Sequence, residues 1–325
     1  MPKAREALDT EWDRLRGITC WRQDEVREWA EVVAEANKRR ETVHVVRIAA
    51  LCVEKGSELP KGHKDRKYKG RCVVLGDRIV DQWRQAAQFS ELSSSPASIN
   101  ASKFGDWWAC VDDPVHGPHT CMQSDATQAY TQSKLDGTPT WVRLPRDQWP
   151  SSWANMRDPV VPLDKALYGH PDAGGYWERH CTKQLKAIGF ENIPEWPSCF
   201  WHAKNRMFLV VYVDDFKMHG PAKYMDAMWA EMRSHIDMDP PTQLDKFLGC
   251  KHTMHTFDGA PPTTFWENKL LARKPTKAER AKMYGATKSG AAPDESLRVL
   301  LVDVLPPKPP SARGDSFPHH CLTQT

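Results

Sequence analysis

The sequence predicts an α+β fold, with helices and antiparallel strands grouped instead of alternating. Three observations lead there. Residues 4–40 place apolar side chains at helical spacing among charges, in ALDTEWDRLR and DEVREWAEVVAEANKRR. Two β-branched runs, VHVVRIAALCV (43–53) and RCVVLGDRIV (71–80), flank a basic loop and read as a hairpin. A second strand pair, CFWHAKNRMFLVVYV (199–213), turns at AKNR and runs directly into Asp214 and Asp215. A chain of 325 residues with 40% apolar and 27% charged side chains is long enough to close one large core or two ordinary ones.

The remaining elements follow in order. SELSSSPASINAS (90–102) reads as a Ser-rich loop or helix start, WWACV (107–111) as a short strand end, and DDPVHGPH as a loop because Pro114 and Pro118 interrupt it. Thr120–Asp125 is strand-like and Ala126–Lys134 a short helix; TWVRLP (140–145) is a strand. DAGGYWERHCTKQLKAIGF (172–190) is an amphipathic helix with Tyr176, Trp177, Cys181, Leu185 and Ile188 on one side. FKMHG returns as a strand after the paired aspartates, and KYMDAMWAEMRSHI (223–236) is a helix whose Met225, Met228, Trp229 and Met232 are core candidates. Beyond Lys251 the texture changes. Residues 256–325 hold nine of the 25 prolines, so they read as a Pro-rich, divergent, partly disordered tail.

The net charge of +3 does not by itself point to a polyanion, but the local balance does. From Lys38 to Arg78 there are twelve Lys/Arg against five Asp/Glu, a surface suited to polyphosphate or simply a solvated face. The nine cysteines form no CxxC pair and fit free thiols in a reducing compartment. His116, His119 and Cys121 make at most half of a zinc site. The charged N-terminus has no apolar core and there is no run of about eighteen apolar residues, so neither a secretory signal nor a membrane span is expected. The expected location is intracellular, cytoplasmic or nuclear.

The tripeptide Val-Asp-Asp occurs twice, at 111–113 and at 213–215. The second follows a long apolar strand and sits at the tip of a hairpin, where like charges repel unless a cation lies between them. Asp favours turns in any case, so a plain turn is the competing reading. Asp125 ends another predicted strand. If that strand lies beside the 208–213 strand, three carboxylates converge, and all-oxygen donors suit a pair of Mg²⁺ ions. The first copy runs into Pro114 and reads as a loop.

Seven blocks in order resemble a copia-type retrotransposon reverse transcriptase, the RNA-dependent DNA polymerase domain of a Pol polyprotein. They are ALDTEWDRLRGITCW (7–21), RKYKGRCVVLGDR (66–78), SSSPAS, QSDATQAYTQSKLDGTPTWVRLP, LDKALYGHPDAGGYWERHCTKQLKAIGF, VVYVDDFKMHG (210–220) and DKFLGCKH (245–252). The resemblance implies a right-hand polymerase in residues 1–255, with fingers mainly at 40–100, a palm with an antiparallel sheet at 101–135 and 165–255, and a thumb truncated or absent. It implies Asp125 and Asp214 as the principal ligands of two Mg²⁺ ions, with Mn²⁺ as a substitute, and Asp215 in support. Lys69 and Arg71 would grip the incoming triphosphate. Tyr130 would crowd a ribose 2′-hydroxyl, and Tyr168 and Gly169 would lie beside the nascent base pair. The implied partners are an RNA/DNA template-primer and deoxynucleoside triphosphates.

Two departures stand out. His170–Gly175 replaces the family's Leu-Lys-Gln-Ala-Pro-Arg run, and the return strand FKMHG is more polar than the family's aliphatic version. The Pro-rich tail cannot hold the ribonuclease H domain that the family carries next, so a polyprotein fragment or a decayed copy is expected. A copy that only binds nucleic acid, and a phosphodiesterase reusing the same carboxylates, are the rival readings.

Overall fold

The computed structural model describes residues 2–89, 95–258 and 296–304. Helices α1 (Pro2–Gly17) and α2 (Trp29–Arg39) precede strands β1 (His44–Lys55) and β2 (Lys67–Val74). Then come α3 (Ile99–Trp108), β3 (Gly117–Asp125), β4 (Thr140–Arg143), β5 (Pro159–Pro162) and α4 (Ala173–Ala187). Strands β6 (Cys199–His202), β7 (Met207–Tyr212) and β8 (Asp215–Pro221) lead to α5 (Ala222–His235), β9 (Cys250–Asp258) and β10 (Ser296–Val304). The fold is α+β, as expected.

The first sheet is built on the β1–β2 hairpin, which pairs in antiparallel register from Ile48↔Val74 to Lys55↔Lys67. β1 also runs parallel to β4, which the sequence did not indicate, and β4 pairs with β5. α1 covers this sheet through Trp12 and Leu15, which are buried with Trp21, Val46, Ile48, Cys72 and Val74. The helical signal read across 4–40 is broken after Gly17. Thr19 takes a positive φ of 50°, and the Cys20 N–H caps back onto the Leu15 carbonyl, so the chain turns and buries Trp21 before α2 begins.

The second sheet runs β3–β8–β7–β6, with two-residue strands at both edges. β7 is buried on both faces, which explains its unbroken apolar run. Met207, Leu209 and Val211 pack with α4 and α5, while Phe208 and Val210 pack on the other face with Ala101 of α3. Met225, Met228, Trp229 and Met232 of α5 are core residues, each of the kind that contributes about 1.5–3 kcal/mol on burial.

Three local expectations change. WWACV does not start as a strand, because α3 extends to Trp108, started by Ser98, whose side chain accepts the Ala101 N–H. Asp112–Asp113 is a two-residue strand on β3 and not a loop; the turn at Gly117, with φ 85°, lets the chain double back. The short helix at Ala126–Lys134 shrinks to a 3₁₀ turn, Ala129–Gln132. In the tail, LRVLLVDV belongs to β10, which pairs with β9 from Cys250↔Val304 to Asp258↔Ser296. The boundary expected at 255 therefore falls inside β9. The remaining tail, residues 259–295 and 305–325, lies outside the described residues.

Candidate active site

The β7–β8 hairpin closes with Tyr212 opposite Asp215, which leaves Val213 and Asp214 as a two-residue loop. Loops of this length need a positive φ at the first residue to follow the strand twist, and glycine is preferred there. Val213 occupies it with φ 58°. A β-branched residue in that region costs on the order of 1–3 kcal/mol and persists only where its surroundings hold it.

β3 lies on the other side of β8, with Asp125 directly opposite Asp215. The Ala126 N–H donates to the Asp214 carbonyl at 2.7 Å. The backbone thus brings Asp125, Asp214 and Asp215 to one edge of the sheet, the juxtaposition on which the three-carboxylate reading depends. Among the described residues none of the three is ion-paired, and no group of three or more Asp, Glu, His or Cys side chains is arranged as a finished metal cage.

The electrostatics record their crowding. Burial, followed by the Asp214 and Asp125 carboxylates, pushes the Asp215 carboxyl up to about 6. Asp125 is also raised, first by burial and then by Asp214 and Asp239, although its contact with Asp215 and the charge of Lys55 work the other way. Three oxygen-donor groups that resist sharing their charge fit a hard divalent cation by chemistry.

The other predicted residues gather around the same point. Tyr130 and Tyr168 approach with ring centroids 4.7 Å apart, and the Arg71 guanidinium lies 5.4 Å over the Tyr168 ring. Both phenols are raised, first by burial and then by the charge of Asp214. The Lys69 ammonium is lowered, chiefly by burial and by neighbouring Lys55 and Arg71, while Asp214 pulls it back up. Gly169 lies against β2 of the first sheet: its φ is 89°, a Cβ there would fall 2.1 Å from the Val74 carbonyl oxygen, and the Val74 N–H donates to the Tyr168 carbonyl at 2.7 Å. Only glycine fits where β2, carrying Lys69 and Arg71, meets this loop.

Several residues escaped the sequence reading. Lys217 is fully buried two positions beyond Asp215 on β8. Its ammonium donates to Asp106 and to Ser102 Oγ at 3.1 Å and lies 3.3 Å from His252 Nε2. Ser102 and Asp106 stand four apart on α3, and Gly105 between them leaves room for the buried His219 ring, 2.2 Å from where its Cβ would be. This is where the polar FKMHG strand goes. The altered 170–175 block is also buried in part: the Asp172 N–H donates to His170 Nδ1 at 3.2 Å, and the His170 ring meets Phe89 at 5.2 Å. Of the half-site residues, His116 Nδ1 pairs with Asp113 at 3.1 Å and a ring nitrogen of His119 bonds the Trp108 carbonyl at 2.9 Å, so neither is poised for zinc.

Residues 53–258 match the reverse transcriptase (RNA-dependent DNA polymerase) family. That is more than half of the chain, and the chain belongs to this family as one of its copia-type members. It is similar to the transposon Ty5-1 protein of Saccharomyces cerevisiae, 28% identical over 130 residues that make up 38% of this chain and 40% of that protein. The chain thus spans less than half the length of the curated relative it matches. Reverse transcriptase domains are nucleotidyltransferases that in general use divalent metal ions and act on a template-primer with deoxynucleotides. Among the described residues no helix is long and apolar enough to cross a membrane.

Proposed function

We propose that the chain is the RNA-directed DNA polymerase core of a copia-type retroelement. It adds deoxynucleotides to a primer 3′-hydroxyl on an RNA template. The supporting observation is the register that sets Asp125 opposite Asp215, together with the Ala126 bond to Asp214. In this reading the second sheet with α4 and α5 is the palm (101–135 and 165–255), the β1–β2 hairpin is the fingers (40–100), and the thumb is truncated or absent. Asp125 and Asp214 are the principal holders of two Mg²⁺ ions, replaceable by Mn²⁺, and Asp215 supports them. When bound, the ions would acidify the primer hydroxyl and neutralise the triphosphate.

The chain's own residues do the positioning. Lys69 and Arg71 reach over the carboxylates from β2 and bind the triphosphate oxygens. The Tyr130 ring, packed on Tyr168, closes the floor beneath the incoming sugar and excludes a 2′-hydroxyl. Gly169 lets the backbone approach the nascent base pair. Location inside the cell, in cytoplasm or nucleus, follows from the same reading.

A second reading has its own observation. The 170–175 block lacks the family's Arg and turns His170 and Asp172 inward, which suits a copy that binds nucleic acid without extending it. Primer extension with wild type and Asp214→Asn, alongside salt-dependent binding, separates the two. The polymerase reading expects Mg²⁺-dependent lengthening that vanishes in Asp214→Asn while the fold is kept. Equal behaviour of the two proteins removes catalysis from this hairpin. Binding that weakens with salt and brings no incorporation marks the decayed copy. Shortened strands would point to phosphodiester cleavage.

A further inference from the structure

The geometry points to Trp177 as a positioning residue that holds the strained hairpin tip and so fixes the direction of Asp214. This rests on the polymerase reading above. Trp177 lies on α4, 2% exposed, and its indole N–H donates to the Val213 carbonyl at 2.6 Å. That carbonyl belongs to the one loop residue whose φ, 58°, is unfavourable for its side chain. The next carbonyl, of Asp214, is held by the Ala126 N–H from the strand that carries Asp125. Asp214 therefore sits between two clamped peptides, one fixed from the helix layer and one from the neighbouring strand.

Without the Trp177 donor, the Val213 peptide has no partner from α4 and the strain at Val213 favours a rotated tip. Rotation of that peptide turns the Asp214 Cα–Cβ bond away from Asp125. Packing alone does not enclose the tip, because Trp177 and Val213 line one pocket with Gly174, Cys181, Phe200 and Val211. His180 stacks on the same indole with ring centroids 5.9 Å apart and steadies its orientation. A core role alone would require only the ring. The positioning role requires the N–H.

Two measurements test it. In steady-state primer extension, Trp177→Phe keeps a ring and removes the donor. The expected result is a kcat lowered about tenfold, a raised Mg²⁺ requirement and an unchanged KM for deoxynucleotide. Val213→Gly adopts the positive φ without strain, so in that background the same substitution should cost no more than about twofold. Equal penalties in both backgrounds, or a loss confined to KM, overturn the proposal.

The second measurement does not depend on activity. The ¹⁵N-indole signal of Trp177, assigned through its backbone neighbours, should exchange with solvent far more slowly than that of the exposed Trp107, and should shift in Val213→Gly and on addition of Mg²⁺ alone. Exchange as fast as Trp107, or a signal indifferent to both, overturns it. If wild type extends no primer, the polymerase reading fails, and the indole signal still decides whether the clamp exists. If Trp177→Phe does not fold, wild type and Val213→Gly decide it by the same signal.

Discussion

Strand β8 meets two groups of carboxylates, and they have opposite environments. At its open end, Asp215 lies with Asp125 and Asp214, unpaired and raised to about 6. Two residues along, on the same face, Lys217 meets Asp106. Burial alone would raise that carboxyl, but His219, His252 and the Lys217 ammonium outweigh it and hold it far below the ordinary carboxylate range. One group neutralises its own charge. The other holds charge that the protein itself does not neutralise. A single turn of the pleat thereby separates a structural group from a proposed functional one: the closed group ties α3 and β9 to the strand, and the open group is the one proposed above to hold a cation.

The comparison breaks most severely at Lys217. Lys217→Met strands Asp106 in the core and should cost about 3–5 kcal/mol in denaturant unfolding. Adding Asp106→Leu should recover most of that loss, because the pair then leaves together. Acid attacks the same group. The His219 ring is pushed down from the ordinary 6.5 to about 4, first by burial, and Asp106 is also depressed. Both groups bind protons more readily when unfolded, so their stability is present above the unfolded pKa values and is lost as pH falls. This group's contribution to the unfolding midpoint should be level above pH 7 and fall below about 6.5, while the raised Asp215 contributes in the opposite sense as pH drops through about 6. In the Lys217→Met/Asp106→Leu protein the loss between 6.5 and 4 should remain with His219, while the Asp106 contribution at lower pH disappears.

The open group should respond in the opposite sense. Asp215→Asn removes one of the mutually repelling carboxylates and should raise stability by about 1 kcal/mol without metal. Wild type should gain about 1.4 kcal/mol from Mg²⁺ at tenfold its Kd, and Asp214→Asn should gain almost nothing, as thermal midpoints would record. Equal Mg²⁺ stabilisation of all three proteins would place the ion elsewhere.

The two groups were not equally legible in the sequence. An apolar run ending in two aspartates is visible as a pattern, but which strand would carry Asp125 to it was not: the sequence set that strand beside 208–213, and it pairs with β8 instead because β7 is already flanked by β6 and β8. Lys217 and Asp106 stand 111 residues apart, and no local period links them. The return strand could only be seen to be too polar for its family. Trp177 was legible as a core residue of an amphipathic helix, but a hydrogen bond to a distant carbonyl leaves no trace in spacing. The parallel β1–β4 pairing was equally hidden, since it depends on how the first sheet closes. β10 did carry a signal, LRVLLVDV, which the surrounding prolines masked.

The smallest effect belongs to the other Val-Asp-Asp. Asp113 Oδ1 accepts the Val115 N–H at 2.8 Å and the His116 N–H at 3.1 Å, while Oδ2 pairs with Arg206 at 3.0 Å. Those backbone donors first, then His116, hold its carboxyl down at about 2. It ends a short strand and caps the turn after it, satisfied by the turn's N–H groups and by Arg206, with no share in the carboxylate edge at 125 and 214–215. Asn keeps the Oδ1 acceptor and loses only the pairing with the half-exposed Arg206 and with His116. Asp113→Asn should therefore cost no more than about 1 kcal/mol and leave primer extension and the Mg²⁺ response unchanged. A larger loss, or a shifted Mg²⁺ response, would mean that the same tripeptide does the same work in both places, and the separation of structural from functional carboxylates on this sheet would fail.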